Sequence, residues 1–129
     1  MRETIKLLAV AMVALLASFS ARADASGKCG ENVRWRLYRP IKNLNSYTLE
    51  ISGRGAMYDY YAYSDNISPW GTEEYSDLDI TRIVVKNGVT YIGDYAFFRR
   101  YMVISLTLPN TLRRIGSNAF YGCYIDEYR

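Results

Sequence analysis

The chain has 129 residues, a formal net charge of +3 and no histidine. Without histidine, it lacks the commonest metal ligand and the side chain most often used as a general base near neutral pH. Its small charge and scattered basic residues give no electrostatic reason to expect a nucleic-acid ligand. We therefore expect one small domain that is not an enzyme, with no catalytic residues, no cofactor and no metal site.

The first 23 residues predict a secretory signal peptide. Basic residues precede the apolar run 7–19, and Ala21 and Ala23 supply the small residues of a cleavage site. The run is shorter than the roughly 20 residues that a membrane-spanning helix needs. We predict cleavage after Ala23, or after Ala25 as a second choice. The mature protein would be secreted or attached to the cell surface, with no integral membrane segment.

Residues 24–28 are expected to form a flexible leader, and residues 29–82 an N-terminal cap module. Two segments of this module alternate apolar with polar residues, which is typical of half-buried strands. The turn-rich stretch 40–46 between them predicts an antiparallel hairpin. The apolar positions are Val33, Trp35, Leu37, Tyr47, Leu49 and Ile51.

Aromatic residues concentrate in the rest of the cap. Tyrosine combines contact area with a hydrogen-bonding hydroxyl, so four of them are candidate ligand contacts: Tyr58, Tyr60, Tyr61 and Tyr63. The alternative is that these rings cover the core of the cap. The turn Ser68-Pro69-Trp70-Gly71 is expected to fix the indole of Trp70 on the core.

Acidic residues also accumulate in this part of the cap, between Asp59 and Asp79. A calcium site and a carboxylate pair for glycoside hydrolysis are conceivable there. The spacing matches no calcium-loop motif, and loop carboxylates are far more often solvated, so we favour neither.

Residues 83–129 contain two 23-residue repeats, the second ending near residue 123. A shift of 23 pairs Ile92 with Ile115, Ala96 with Ala119, and the strand 80–85 with the strand 103–108. Such a period marks coils that stack, because one coil cannot bury its apolar face alone. The predicted core positions are Ile83, Val85, Val89, Ile92, Ala96, Phe97, Leu106, Leu108, Leu112, Ile115, Ala119 and Phe120.

The same period predicts a third strand from Asp126, with Arg129 beneath Leu106. Its charged residues either cap the last coil or belong to a longer array. An uncovered coil end is an unpaired strand edge, which favours self-association. The two cysteines, Cys29 and Cys123, lie at opposite ends of the predicted fold. We expect free thiols, with an intramolecular bridge as the alternative.

The segments 92–97 (IGDYAF) and 115–123 (IGSNAFYGC) resemble the BspA-type leucine-rich repeats of bacterial surface proteins. Segments 29–35, 49–57 and 68–70 are similar to the module that often precedes them. The resemblance implies a β-rich leucine-rich-repeat solenoid of short parallel strands with short helical or 3-10 turns, preceded by an antiparallel hairpin cap. Arg99-Arg100 departs from the pattern, since it stands where Gly-Cys is expected, so that corner should be more exposed.

The resemblance implies exported proteins without catalytic residues, some of them adhesins. We therefore expect a secreted or surface-associated, non-catalytic protein-binding or adhesion module, whose partner is a host or bacterial surface protein. The alternative is a structural repeat fragment that forms a homo-oligomer, or pairs with a partner chain, through its open C-terminal coil.

Overall fold

The structure, a computed structural model, describes residues 25–63 and 65–129. The predicted signal peptide lies outside the described residues. Two 3-10 helices, Pro69–Gly71 and Glu73–Tyr75, lie in the cap. The strands are β1 (Ala25–Lys28), β2 (Val33–Tyr38), β3 (Tyr47–Gly53), β4 (Gly55–Ala56), β5 (Ile80–Val85), β6 (Val89–Ile92), β7 (Ser105–Thr107), β8 (Arg114–Ile115) and β9 (Glu127–Tyr128).

The strands form two sheets, ordered β1-β2-β3-β5-β7-β9 and β4-β6-β8. The pairs β1–β2 and β2–β3 are antiparallel, so the predicted hairpin is confirmed. All other strand pairs are parallel, as stacked coils require. The expected β-rich class of short, mostly parallel strands is therefore confirmed. Within the described ranges, no helix has the length and apolar character needed to cross a bilayer.

The interpretation of residues 24–28 as a flexible leader is wrong for Ala25–Lys28, which forms β1. β2 offers unpaired backbone groups along one side, so β1 can pair with it without an apolar pattern of its own. Gly27 permits the close approach, since a Cβ at this position would lie 2.7 Å from the indole nitrogen of Trp35.

Trp70 anchors the core at the junction of cap and repeats. Its side chain is fully buried, and its Nε1 donates a hydrogen bond of 2.8 Å to the carbonyl of Ala96. Its ring stacks on Phe97 at 5.5 Å, and Phe97 stacks on Phe120 at 5.2 Å. The prediction that the 68–71 turn fixes this indole on the core is confirmed.

Most predicted repeat-core residues are buried: Ile83, Val85, Val89, Ile92, Ala96, Phe97, Leu106 and Ala119. Leu108, Leu112 and Phe120 are half-buried against the same core. Ile115 is 44% exposed, so its assignment to the core is wrong. Its strand, β8, lies at the edge of the three-stranded sheet, and no described strand covers it.

The segment 94–100 forms hydrogen-bonded turns rather than the expected helical turn. The N–H groups of Tyr95, Phe97 and Arg99 donate to carbonyls of the next coil, at 117, 119 and 121. The alternate N–H groups, at 96, 98 and 100, donate to carbonyls three residues back. Tyr95 and Arg99 both have φ of 54°, and this left-handed backbone interrupts any right-handed helix.

The register shortens by one residue after the second repeat strand. β5 and β7 pair with an offset of 23, Ile83 opposite Leu106, but Tyr128 rather than Arg129 lies opposite Leu106. The predicted position of Arg129 is therefore wrong by one residue. The offset between β7 and β9 is thus one residue smaller than that between β5 and β7, and the N–H groups of Asp126 and Glu127 both donate to the carbonyl of Ile104.

Both cysteines are free thiols. Cys29 is buried in the cap, and burial raises its pKa to about 12. Cys123 is half-buried and donates a hydrogen bond of 3.1 Å to the carbonyl of Phe97. Burial raises the pKa of this thiol too. Both groups are therefore protonated and poorly nucleophilic near neutral pH.

Candidate functional site

The structure divides the four candidate tyrosines into two groups. Tyr58, Tyr61 and Tyr63 are exposed, Tyr63 to 78%. Tyr60 is only 5% exposed and its ring meets Trp70 edge-on at 6.0 Å, so it is a core residue and not a ligand contact. Its hydroxyl has no partner among the described residues, and burial raises its pKa. The core interpretation therefore holds for one tyrosine of the four.

Four aromatic rings form an outer aromatic row on the surface of the repeats: Tyr63, Tyr95, Phe98 and Tyr121. Phe98 lies at its centre. It stacks on Tyr121 at 5.4 Å and meets Tyr95 edge-on at 5.2 Å. Tyr63 of the cap meets it edge-on at 6.1 Å. Phe97 points into the core and Phe98 out of it, so neighbouring residues supply an inner and an outer stack.

Arg99 borders this row. Its guanidinium carbon lies 5.2 Å from the ring centre of Phe98 and 5.9 Å from that of Tyr63. These distances are within cation–π range. Among residues 25–63 and 65–129, no carboxylate lies within ion-pair distance of this guanidinium. The site therefore presents a positive charge on an aromatic surface.

An open hollow of about 570 Å³ adjoins the outer aromatic row. It is lined by Tyr61, Ala62, Tyr63, Asp65, Asn66 and Tyr95. A smaller hollow of about 240 Å³ shares four of these residues and extends to Phe98, Arg99 and Arg100. Together they could hold one or two side chains of a partner, since rings and a few polar groups line them.

The nearby carboxylates are used within the fold. Asp59 Oδ1 accepts hydrogen bonds from the Tyr91 hydroxyl (2.6 Å) and the Asp94 N–H (2.8 Å). Asp94 Oδ1 accepts one of 2.7 Å from the Ser117 N–H, which joins the next coil. The Asp94 N–H, then the Tyr91 hydroxyl, hold the pKa of Asp59 below its ordinary value.

The pKa of the Tyr91 phenol shifts in the opposite direction to that of Asp59. Burial, and then the hydrogen bond to Asp59, raise its pKa to about 12. In the described part of the chain, no three His, Cys, Asp or Glu side chains are arranged to hold a metal ion. The hydrogen bonds of Asp59 and Asp94 join the cap to the first repeat and the first repeat to the second.

Sequence reasoning missed most of this site, because it named only Tyr63 of the outer aromatic row. Two signals could have found the rest. The 23-residue shift aligns Phe98 with Tyr121, two aromatic residues directly after the core phenylalanines. It also aligns Arg99 with Gly122, so an arginine occupies a position that holds glycine in the other repeat. The expected exposure at this corner is found for Arg99, whereas Arg100 is half-buried.

The comparisons with known proteins agree with these repeats. The family model described as "BspA type Leucine rich repeat region (6 copies)" matches residues 65–129. Comparison with curated proteins gives no match.

One similar solved structure is the crystal structure of a leucine-rich repeat protein from Eubacterium ventriosum ATCC 27560 at 2.50 Å resolution, with a TM-score of 0.66 and 29% sequence identity. The similarity covers 82% of this chain and 26% of that chain, so this chain spans about a quarter of that protein's length. The resemblance seen in the sequence is confirmed. Because the family model matches half of the chain and includes both repeats, this chain belongs to the BspA-type leucine-rich repeat family.

Proposed function

We propose that this chain is a secreted or surface-attached protein-binding module used in adhesion, whose partner is a host or bacterial surface protein. Membership of the family indicates a protein-interaction module, and proteins of this family are typically non-catalytic and typically secreted or surface-exposed in bacteria. The proposed contact surface is the outer aromatic row with Arg99. The observation that carries it is a set of packed rings, two exposed and two half-buried, beside a cation without an ion-pair partner in the described residues.

The geometry of the row favours recognition of a protein surface. Phe98 holds Tyr63, Tyr95 and Tyr121 in contact, so little rotational freedom remains to be lost on binding. Tyrosine and arginine are also the residue types that most often dominate binding energies at protein interfaces. Tyr121 remains 58% exposed despite its stacking, so a partner can cover much of its area.

Adhesion can be tested with the mature chain, labelled with a fluorophore and applied to epithelial cell layers and to bacterial cells. We expect binding that protease treatment of the cells removes. The double variant Tyr63→Ala, Tyr121→Ala should bind at least tenfold more weakly, because it removes two contacts of the row. The control Ile41→Ala removes an equally exposed apolar side chain from the hairpin turn and should bind normally. Equal binding by the double variant would contradict the proposal.

Export is tested separately, by expressing the full chain in a bacterium and measuring the mass of the protein in the medium. The proposal expects a chain that starts at Asp24, or at Ser26 for the second cleavage choice. Retention of the intact chain inside the cells would contradict a secreted location.

A second candidate function is self-association through the edge strands β8 and β9. Ile115 and Tyr128 on these strands are exposed, and each strand has one described neighbour. Light scattering across a range of concentrations tests this candidate. A dimer that Ile115→Lys dissociates would favour it, whereas a monomer at every concentration would argue against it.

A further inference from the structure

In the segments 94–100 and 117–123, each repeat has two positions with left-handed backbone, and the two repeats fill them differently. The second repeat has Asn118 and Gly122, with φ of 55° and 81°. Asparagine and glycine are the residues that adopt this conformation at least cost. The first repeat has Tyr95 and Arg99 at the same positions, both with φ of 54°. In the segment 94–100, both left-handed positions therefore hold large side chains, which are strained there.

Both strained residues belong to the same surface. Tyr95 lines the larger hollow and contacts Phe98, and Arg99 lies against the rings of Phe98 and Tyr63. Strained residues concentrate at functional sites, where the surrounding structure holds them in place. Here hydrogen bonds of 2.9 Å and 2.6 Å run from their N–H groups to the next coil, at 117 and 121. The backbone bonds that hold these positions do not use either side chain.

The neighbouring residues Arg99 and Arg100 make different contacts. Arg100 is half-buried and its Nη1 donates to the carbonyl of Trp70 at 3.4 Å, so it supports the core. Arg99 is exposed, and its guanidinium lies over the rings of Tyr63 and Phe98. Its planar guanidinium can bind a carboxylate with two parallel hydrogen bonds while the rings limit its movement.

We propose that the segment of the protein partner bound at the outer aromatic row carries a carboxylate side chain, and that Arg99 binds it while an adjacent apolar side chain enters the larger hollow. This rests on the proposed function, since it names the chemistry of the partner at that surface. A peptide with an acidic residue beside an aromatic or aliphatic one has this character. Asp65, at the rim of the hollow, disfavours a second carboxylate there.

The test uses two peptides that differ in one group, acetyl-Leu-Glu-Phe-amide and acetyl-Leu-Gln-Phe-amide, titrated into the isotope-labelled mature protein and followed by NMR. We expect the signals of the outer aromatic row to shift with both. The glutamate peptide should bind roughly two- to fivefold more tightly, and added salt should reduce that preference. Arg99→Gly should remove the preference and raise the thermal unfolding midpoint. Arg54→Ser, which removes another exposed arginine, should keep it.

Three results would overturn the inference. Equal affinity of the two peptides for the unchanged protein would reject the carboxylate preference and leave the proposed function in place. No shift at the row with either peptide at millimolar concentration would reject both. A lower unfolding midpoint for Arg99→Gly would mean that Arg99 serves the fold rather than a ligand.

Discussion

The first repeat, residues 83–105, and the second, residues 106–128, share a backbone course but differ in burial and strain. Ile92 and Phe97 are fully buried, whereas Ile115 is 44% exposed and Phe120 is half-buried. The strained side chains lie in the well-packed repeat, and the second repeat has glycine and asparagine at those positions. Strain of this kind persists where surrounding contacts offset it. The first repeat can therefore hold strained functional side chains that would reduce stability more in the second repeat.

The largest difference between the repeats should appear on removing the core phenylalanines. Phe97→Ala should destabilise the protein by about 3–5 kcal/mol, because the fully buried ring stacks on both Trp70 and Phe120. Phe120→Ala should cost about 1–2 kcal/mol, since its ring is only half-buried. Chemical denaturation of both variants measures the two losses. Equal losses would mean that the two coils are packed equally well in solution.

A reciprocal exchange at the left-handed position tests where the strain lies. Gly122→Arg should cost about 1–2 kcal/mol, because φ is 81° and an added Cβ would lie 3.1 Å from the Cα of Arg99. Arg99→Gly should gain about 0.5–1 kcal/mol, since relief of strain exceeds the extra unfolded-state entropy of glycine. Thermal and denaturant unfolding measure the expected loss of stability in Gly122→Arg and the expected gain in Arg99→Gly. A loss of stability in Arg99→Gly would refute the assignment of strain to this residue.

The exchange at the other left-handed position should have a smaller effect. Tyr95→Asn relieves strain but removes a ring contact with Phe98 and a hydrogen bond of 3.1 Å from Asn118 to the Tyr95 hydroxyl. These contributions are similar in size, so we expect a net change within about 0.5 kcal/mol. Denaturant unfolding of Tyr95→Asn and Arg99→Gly, measured side by side, compares their free energies of unfolding. A gain as large as that of Arg99→Gly would mean that the Tyr95 ring contributes little to the packing of the row.

The smallest expected effect is on the acid stability of the protein, through Asp59 at the junction between the cap and the first repeat. The pKa of Asp59 is lower in the folded chain, so the unfolded chain binds more protons between the folded value and the ordinary 3.8. The contribution of Asp59 to stability is therefore complete above pH 3.8 and is lost as the pH falls through the folded value. Unfolding midpoints measured from pH 6 to 2 should fall less steeply for Asp59→Asn. An unchanged slope would contradict this role.

Much of the fold followed from the sequence wherever side-chain patterns decide local structure. The alternation at Val33, Trp35 and Leu37 predicted β2, and the predicted repeat strand 80–85 has the same bounds as β5. The 23-residue period placed β7 beside β5, because a fixed spacing stacks equivalent positions of successive coils, such as Ile83 and Leu106. β1 was missed because backbone pairing rather than an apolar pattern forms it.

The candidate site was less predictable, because it depends on backbone angles and on contacts between distant residues. The presence of a tyrosine or an arginine does not predict a left-handed φ. Only the alignment of Arg99 with Gly122 indicates that Arg99 has this conformation. Tyr60 could not be separated from Tyr61 or Tyr63, because its burial depends on where Trp70 lies. β7 and β9 pair with an offset of 22 residues, and the 23-residue repeat spacing does not reveal this one-residue change in register.

The alternation of N–H donors in the segment 94–100 limits how such repeats can change length during evolution. Adding or deleting one residue between 95 and 97 would change which of the later amides face the next coil, so the two bonds from Phe97 and Arg99 would be lost together. The strand side already varies by one residue, since β5 and β7 pair with an offset of 23 and β7 and β9 with an offset of 22. Insertions should therefore accumulate near the strands, while the aromatic side keeps its spacing and changes only in the identity of its side chains.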